Sequence, residues 1–87
     1  MSQRTASAGA FGRVMKEVRV ARGLSQEEAG LRADVGRRFY GELERGEANP
    51  TFATILKVSR GLEIAAAELV ARAEAHLVVD DDENDQS

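Results

Sequence analysis

Apolar residues near the start of the chain recur at helical spacing. Four of them stand at positions i, i+3, i+4 and i+7: Phe11, Val14, Met15 and Val18. This spacing places all four side chains on one face of a helix. The pattern predicts a first helix that begins near Gly9 or Ala10 and ends at Gly23, with its apolar face in the core.

A second, shorter helix is marked by its capping residues. Ser25 followed three residues later by Glu28 forms a capping box, in which each side chain binds the other residue's backbone N–H. The helix is predicted over residues 26–33, because residues 34–36 (Asp-Val-Gly) are typical of a turn.

The next helix is predicted over residues 37–45, and Gly46 can adopt the left-handed conformation that ends a helix. Tyr40 and Leu43, with Val35 in the preceding turn, give this helix one buried edge. The opposite face is expected to present five residues to solvent: Arg37, Arg38, Gly41, Glu42 and Arg45. Two short helices joined by a three-residue turn that contains Gly describe a helix-turn-helix.

Two further helices complete the predicted fold. Thr51 is expected to cap a helix from residue 52 to 61 or 62 whose inner face carries Phe52, Ile55, Leu56, Ser59 and Leu62. A last helix begins near Ala65 or Ala66. Its apolar edge comprises Ala66, Leu69, Val70, Ala73 and Leu77. This edge is longer than a small core requires, so the overhang is expected to pair with a second copy of the chain in a homodimer.

The charge is unevenly distributed. The whole chain carries a net charge of −3, but residues 80–87 hold five acids and no base, so residues 1–79 carry +2. We therefore expect a disordered leader over residues 1–8, a folded domain over residues 9–79, and a disordered acidic tail over residues 80–87. A weakly basic domain must obtain any affinity for nucleic acid from local arrangement of its charges.

Arg37 and Arg38 lie in the first turn of their helix, where the helix dipole disfavours cations by roughly 0.3–1 kcal/mol each. They are either two solvated surface arginines or side chains that read DNA. A helix whose N-terminal end enters the major groove uses such residues, because Arg pairs bidentately with guanine. Their place in a helix-turn-helix favours the second interpretation.

Residues 11–70 resemble the Cro/CI-type helix-turn-helix family, also called XRE-like, of phage and bacterial transcriptional regulators. The segments that carry the resemblance are RVARGLSQEEAGLRADV, FYGELERGEANPTFATILKVSRGLEI and AAAELV. The resemblance implies an all-α, compact five-helix bundle of the lambda-repressor-like DNA-binding type. Four residues depart from the family pattern: Ala29, Asp34, Gly36 and Tyr40.

The resemblance also implies roles for individual residues. Arg37, Arg38 and Glu42 match positions that reach base edges, and Gln26 matches the position that anchors its helix to a phosphate. Arg19 and Glu44 match a structural ion pair between the first helix and the recognition helix. The remaining expected contacts to the DNA backbone are Asn49, Thr51, Thr54 and Lys57.

The residues thus predict a dimeric, sequence-specific regulator of transcription, most simply a repressor, whose partner is double-stranded DNA. The alternative is an antitoxin or adaptor that uses the same fold mainly to hold a protein, through the C-terminal helix or the acidic tail. An enzyme is not expected, because the chain has no cysteine, one histidine (His76) and no phosphate-binding Gly-rich loop. No cofactor or metal is expected. The absence of a long apolar run predicts a soluble, cytoplasmic protein without a membrane partner.

Overall fold

Helices dominate the computed structural model, which describes residues 5–84, with side chains described for residues 5–77. The five helices are α1 Ala6–Ala21, α2 Gln26–Ala33, α3 Arg37–Glu44, α4 Phe52–Gly61 and α5 Ala66–Asn84. Turns and short loops connect them. The predicted all-α, five-helix architecture is confirmed.

Hydroxyl side chains begin three of the helices. Thr5 Oγ1 accepts a hydrogen bond from the N–H of Ala8 at 3.0 Å, and Thr51 Oγ1 accepts one from the N–H of Thr54 at 3.1 Å. Ser25 starts α2 with both halves of the predicted capping box. These caps satisfy N–H groups that have no partner inside their own helices.

The first helix begins earlier than predicted. It starts at Ala6, not near Gly9, and the buried Ala8 and Ala10 belong to its core face. The sequence prediction missed this turn because its buried residues are small and give no strong apolar periodicity. Residues 5–8 of the predicted leader are therefore part of the folded domain. Residues 1–4 of that leader lie outside the described residues.

The last helix begins at Ala66, as predicted, and continues to Asn84. Residues 80–84 of the predicted disordered acidic tail are therefore helical in backbone. Residues 85–87 lie outside the described residues.

The core lies where α1 packs on α5 and α3, while α2 packs on α3 and α4. The largest fully buried side chains lie on α1, α3, α4 and α5, or directly after α4 in the case of Leu62. They are Val14, Met15, Tyr40, Leu43, Val58, Leu62 and Leu69. Apolar burial on this scale is the main favourable contribution to folding. This packing holds α2 and α3 together against α1 and α4.

The inner face of α4 differs from the prediction. Phe52 is 74% exposed and Leu56 is 38% exposed, whereas Val58 is fully buried. Ser59 and Leu62 are buried as predicted, and Ile55 packs on the edge of the core. The apolar residues of α4 cover so much of the helix that either of two overlapping faces could point inward. Because α4 packs on α2 and α5, the face centred on Val58 is the buried one. On α5, Leu69 and Ala73 are buried but Val70 is 43% exposed.

Candidate nucleic-acid interface

The turn between α2 and α3 sets the direction of α3. Asp34 adopts a left-handed conformation with φ of 59°, and the N–H of Val35 donates to the carbonyl of Gly30 at 3.0 Å. Asp is one of the few residues other than Gly that tolerates this conformation, so the departure from the family's usual Gly leaves the turn intact. Gly36 then caps α3 without a side-chain hydrogen bond.

The capping box of α2 is closed by two hydrogen bonds. The N–H of Glu28 donates to Ser25 Oγ at 3.0 Å, and the N–H of Ser25 donates to Glu28 Oε1 at 2.9 Å. The hydrogen bond from the Ser25 backbone lowers the pKa of Glu28. Glu28 is therefore ionised, and the box complete, at neutral pH.

The inner edge of α3 holds the helix against the core. Tyr40 and Leu43 are fully buried, and Val35 packs beside them. Burial raises the pKa of Tyr40, so its hydroxyl stays protonated. That hydroxyl has no hydrogen-bond partner among the described residues. Tyr40 is therefore a bulky core side chain, and the small, fully buried Ala29 belongs to the same core cluster.

A polar network fixes α3 to α1 and α2. Arg19 Nε donates to Glu44 Oε2 at 2.5 Å, and Arg19 Nη2 donates to Glu44 Oε1 at 3.1 Å. The Arg19 side chain is 12% exposed and that of Glu44 is 2% exposed. Gln26 Nε2 also donates to Glu44 Oε1, at 3.0 Å. The carboxylate of Glu44 thus joins α1, α2 and α3, and its hydrogen bond with Arg19 raises the pKa of Arg19.

The outer face of α3 begins with the two arginines. Arg37 and Arg38 are exposed, and the Arg38 side chain is 93% exposed. Arg38 Nε lies 3.6 Å from Glu42 Oε2, one turn along the helix. Such exposed pairs contribute at most a few tenths of a kcal/mol, so a ligand can displace this one at little cost.

A shallow groove runs along this outer face. It has a volume of about 330 Å³ and is lined by Gln26, Arg37, Arg38, Gly41 and Arg45. The structure therefore brings the predicted phosphate anchor and both predicted base-reading arginines to one surface. Gly41 was expected to face solvent, but it is buried beneath its neighbours on this face.

None of the other four predicted backbone contacts lines that groove. Thr51 and Thr54 cap α4, and their hydroxyl oxygens are 3.0 Å apart. Asn49 Oδ1 accepts a hydrogen bond from Thr5 Oγ1 at 3.3 Å, which ties the loop before α4 to the start of α1. Lys57 is exposed on α4. Asn49, Thr51 and Lys57 are exposed and Thr54 is half-buried.

Arg45 lines the groove and was not among the predicted site residues. Its Nε atom lies 3.1 Å from Glu47 Oε1. The signal was available in the sequence, because residues 37, 41 and 45 are spaced by four and form one row on a helix.

The described part of the chain holds no group of three or more metal-type ligands. His76 Nδ1 lies 3.4 Å from Arg13 Nη1. No helix among residues 5–84 has the length and apolarity needed to cross a membrane.

A model of the helix-turn-helix family matches residues 15–69 of the sequence, which is more than half of the chain. The chain belongs to the XRE-type helix-turn-helix family. This family consists of DNA-binding transcriptional regulators. The match confirms the resemblance inferred from the sequence.

Two related sequences and one solved structure are similar to most of this chain. The control protein C.MunI of a Mycoplasma species is 35% identical over 60 residues, covering 68% of this chain and 81% of that protein. The transcriptional repressor RstR of a cryptic CTXphi phage in Vibrio cholerae is 31% identical over 67 residues, covering 77% of this chain and 60% of that protein. The crystal structure of the restriction-modification controller protein C.AhdI from Aeromonas hydrophila is 37% identical with a TM-score of 0.72, covering 75% of this chain and 98% of that one.

Proposed function

We propose that this XRE-type regulator binds a specific DNA sequence as a homodimer, with α3 of each copy in the major groove of one half of an inverted-repeat operator. Binding upstream of a gene then represses transcription by occluding the promoter. The relatives named as a control protein and a phage repressor support a regulatory role of this kind. The two-fold symmetry of a dimer requires half-sites about one helical turn apart.

The observation that carries this proposal is the exposed pair of arginines at the start of α3. Neither Arg37 nor Arg38 contributes to the core, and both stand where the helix dipole disfavours a cation. Within the described residues Arg37 forms no ion pair, and Arg38 has only the weak pair with Glu42. Two guanidinium groups in this position match the acceptor pattern of guanine in the major groove.

We predict that Arg37→Ala and Arg38→Ala each weaken binding to the operator by about 1–3 kcal/mol and relax the preference for one base pair per half-site. The operator is first identified by selecting bound sequences from a random duplex pool, and affinities are then measured by fluorescence anisotropy. Arg72→Ala on α5 is the control, since it removes the same charge far from α3. Selection of no common sequence by the unaltered protein would refute sequence-specific binding. Unchanged base preference in both variants would refute the assignment of these two residues.

Exposed apolar side chains on α4 and α5 support the proposed contact with a second copy. Phe52 and Leu56 lie one turn apart on α4 and are 74% and 38% exposed, and Val70 on α5 is 43% exposed. Val70 lines an adjacent, mainly apolar cleft of about 320 Å³ between the start of α1, α4 and α5. Exposed large apolar side chains beside an apolar cleft are typical of an interaction site. A two-fold axis through it would let each copy cover the other's exposed side chains.

We predict that Phe52→Asp converts the dimer to a monomer that keeps its fold, because Phe52 contributes little to the core of one chain. Sedimentation velocity at micromolar concentrations measures the mass, and circular dichroism checks the helices. Leu31→Asp is a matched control, since Leu31 is 76% exposed but lies on α2. A dimer that persists in Phe52→Asp would place the contact elsewhere.

The same apolar surface is also compatible with the second candidate function, that of an antitoxin or adaptor. An antitoxin or adaptor would use it to hold a different protein, and would then be a monomer by itself. A monomeric chain that selects no operator, but co-purifies in fixed ratio with one protein, would favour that function over the first.

A further inference from the structure

Helices α3 and α5 each carry an ion pair between residues one turn apart, but the two pairs run in opposite directions. On α5 the acid comes first: Glu68 stands in the first turn and pairs with Arg72 at 2.6 Å. On α3 the base comes first: Arg38 stands in the first turn, and its Nε atom lies 3.6 Å from Oε2 of Glu42 in the last turn. The order with the acid first is the favourable one, because it agrees with the helix dipole.

The pair on α3 is therefore not explained by the stability of its helix. Arg38 stands at the positive end of the dipole and Glu42 near the negative end, so both charges are disfavoured there. The Arg38 side chain is 93% exposed, whereas that of Glu42 is 33% exposed. Glu42 is thus the more restricted member of the pair, and Arg38 is the member that a ligand can draw away.

A G·C base pair has the complementary arrangement in the major groove. Guanine presents the acceptors N7 and O6 side by side, and cytosine presents its N4 donor next to O6. O6 and N4 are joined by a hydrogen bond, so they lie roughly 3 Å apart. This spacing is close to the 3.6 Å between Arg38 Nε and Glu42 Oε2. In an A·T pair the donor N6 lies between the acceptors N7 and O4, so a guanidinium group finds no two adjacent acceptors.

We propose that Glu42 determines selectivity as the counter-ion of Arg38, which it releases without loss only at a G·C pair, where cytosine N4 replaces the guanidinium as its donor. This inference rests on the proposed DNA binding and narrows it to one G·C pair in each half-site. At other base pairs, or beside a phosphate, the carboxylate of Glu42 faces acceptors and is repelled. Glu42 therefore lowers affinity for DNA in general and widens the difference between the operator and other sequences.

The test is Glu42→Ala, with affinities for the selected operator and for a random-sequence duplex measured by fluorescence anisotropy at physiological salt. We expect affinity for the random duplex to rise about threefold, because a like charge is removed from the DNA-facing surface. We expect the ratio of operator affinity to random-duplex affinity to fall on the order of tenfold. Selection from a random pool should show Glu42→Ala and Arg38→Ala relaxing the same G·C pair. Circular dichroism checks that both variants are folded.

Glu47→Ala is the matched control for the change in charge. Glu47 Oε1 lies 3.1 Å from Nε of Arg45, which lines the groove of α3, but Glu47 itself lies outside that helix. Its removal should raise affinity for the operator and for the random duplex by similar factors and leave the base preference unchanged. The same result is expected of Glu42→Ala if Glu42 only relieves the repulsion between Arg37 and Arg38, since that role does not depend on DNA sequence.

A modified operator tests the proposed contact at the level of one atom. The cytosine of the relaxed G·C pair is replaced by 2-pyrimidinone, which lacks the N4 amino group. The unaltered protein should lose affinity on the order of tenfold, because Glu42 then has no donor. The Glu42→Ala protein should bind both operators with equal affinity, since the protein and DNA changes remove the same contact.

The outcomes separate this inference from the proposed function. If the unaltered protein selects no common sequence, the proposed function fails and this inference fails with it. If it selects one, and the affinity ratio of Glu42→Ala equals that of Glu47→Ala, only the role of Glu42 is refuted. The role is also refuted if Glu42→Ala and Arg38→Ala relax different base pairs, or if Glu42→Ala still loses affinity when cytosine N4 is removed.

Discussion

Replacing Glu44 by Ala is expected to lower the free energy of unfolding by about 3–5 kcal/mol. The change leaves the guanidinium of Arg19 nearly buried with one remaining acceptor, the carbonyl of Leu24 at 2.9 Å. The Gln26 amide loses the acceptor of its hydrogen bond as well. For a chain of this length the total stability is about 4–13 kcal/mol, so a large fraction would be lost.

Urea denaturation followed by circular dichroism measures this effect, and Glu68→Ala provides a matched control. Arg72 and Glu68 form an ion pair at 2.6 Å, but both side chains are about half exposed. An exposed pair contributes about 0–1 kcal/mol, so its loss should be small. Arg19→Ala combined with Glu44→Ala should cost less than the sum of the two single changes, since the double variant leaves no unpaired charge. A Glu44→Ala variant as stable as Glu68→Ala would contradict the expectation.

The same network connects stability to function. Glu44 orients the Gln26 amide and holds α3 against α1, so α3, the helix proposed to enter the major groove, has one fixed position before any DNA binds. A site that is already ordered does not lose that conformational entropy on binding. Glu44→Ala protein that remains folded at low temperature should therefore also bind the operator more weakly.

Helix boundaries could be predicted from the sequence wherever a side chain caps the helix locally. Ser25 with Glu28, and Thr51 before Phe52, specify the starts of α2 and α4, and the structure begins both helices there. These signals act through hydrogen bonds within three residues, so they do not depend on the rest of the fold. Thr5 caps α1 in the same way, but no large apolar residue follows it closely enough to mark the helix.

The inward face of α4 could not be predicted in the same way. Its apolar residues fit one face centred on Ile55 and Leu56 and another centred on Val58, and the periodicity supports both. The choice is made by tertiary packing, because α4 contacts both α2 and α5. This burial of Val58 leaves Phe52 and Leu56 on the surface proposed for the second copy.

The candidate site was predictable in its residue types but not in its shape. The two arginines at the start of α3 and the pair of Arg19 with Glu44 follow from the family pattern at fixed spacing. The groove over Gly41 depends instead on how the ends of Arg45 and Gln26 meet across two helices. Such a meeting of side chains from different helices is a tertiary property with no local signal.

Gly12→Ala is expected to lower the free energy of unfolding by about 3 kcal/mol, at the upper end of the range for overpacked sites. A Cβ at Gly12 would stand 2.5 Å from the carbonyl oxygen of Glu44 and would also overlap the carbonyl oxygen of Leu43. Both contacts are backbone atoms of α3, so no side-chain rotation relieves them. The two helices must separate, and that separation also lengthens the ion pair of Arg19 with Glu44.

Gly9→Ala, three residues earlier in the same helix, is the matched control for this change. A Cβ at Gly9 meets nothing within 4 Å, so the substitution should raise stability by about 0.5–1 kcal/mol through the helix preference of Ala. The two variants have the same composition and differ only in what the methyl group meets. Thermal and urea unfolding of both should therefore give shifts of opposite sign. Equal shifts would show that α1 and α3 do not depend on backbone contact at Gly12, and that the position of α3 is set by its side chains alone.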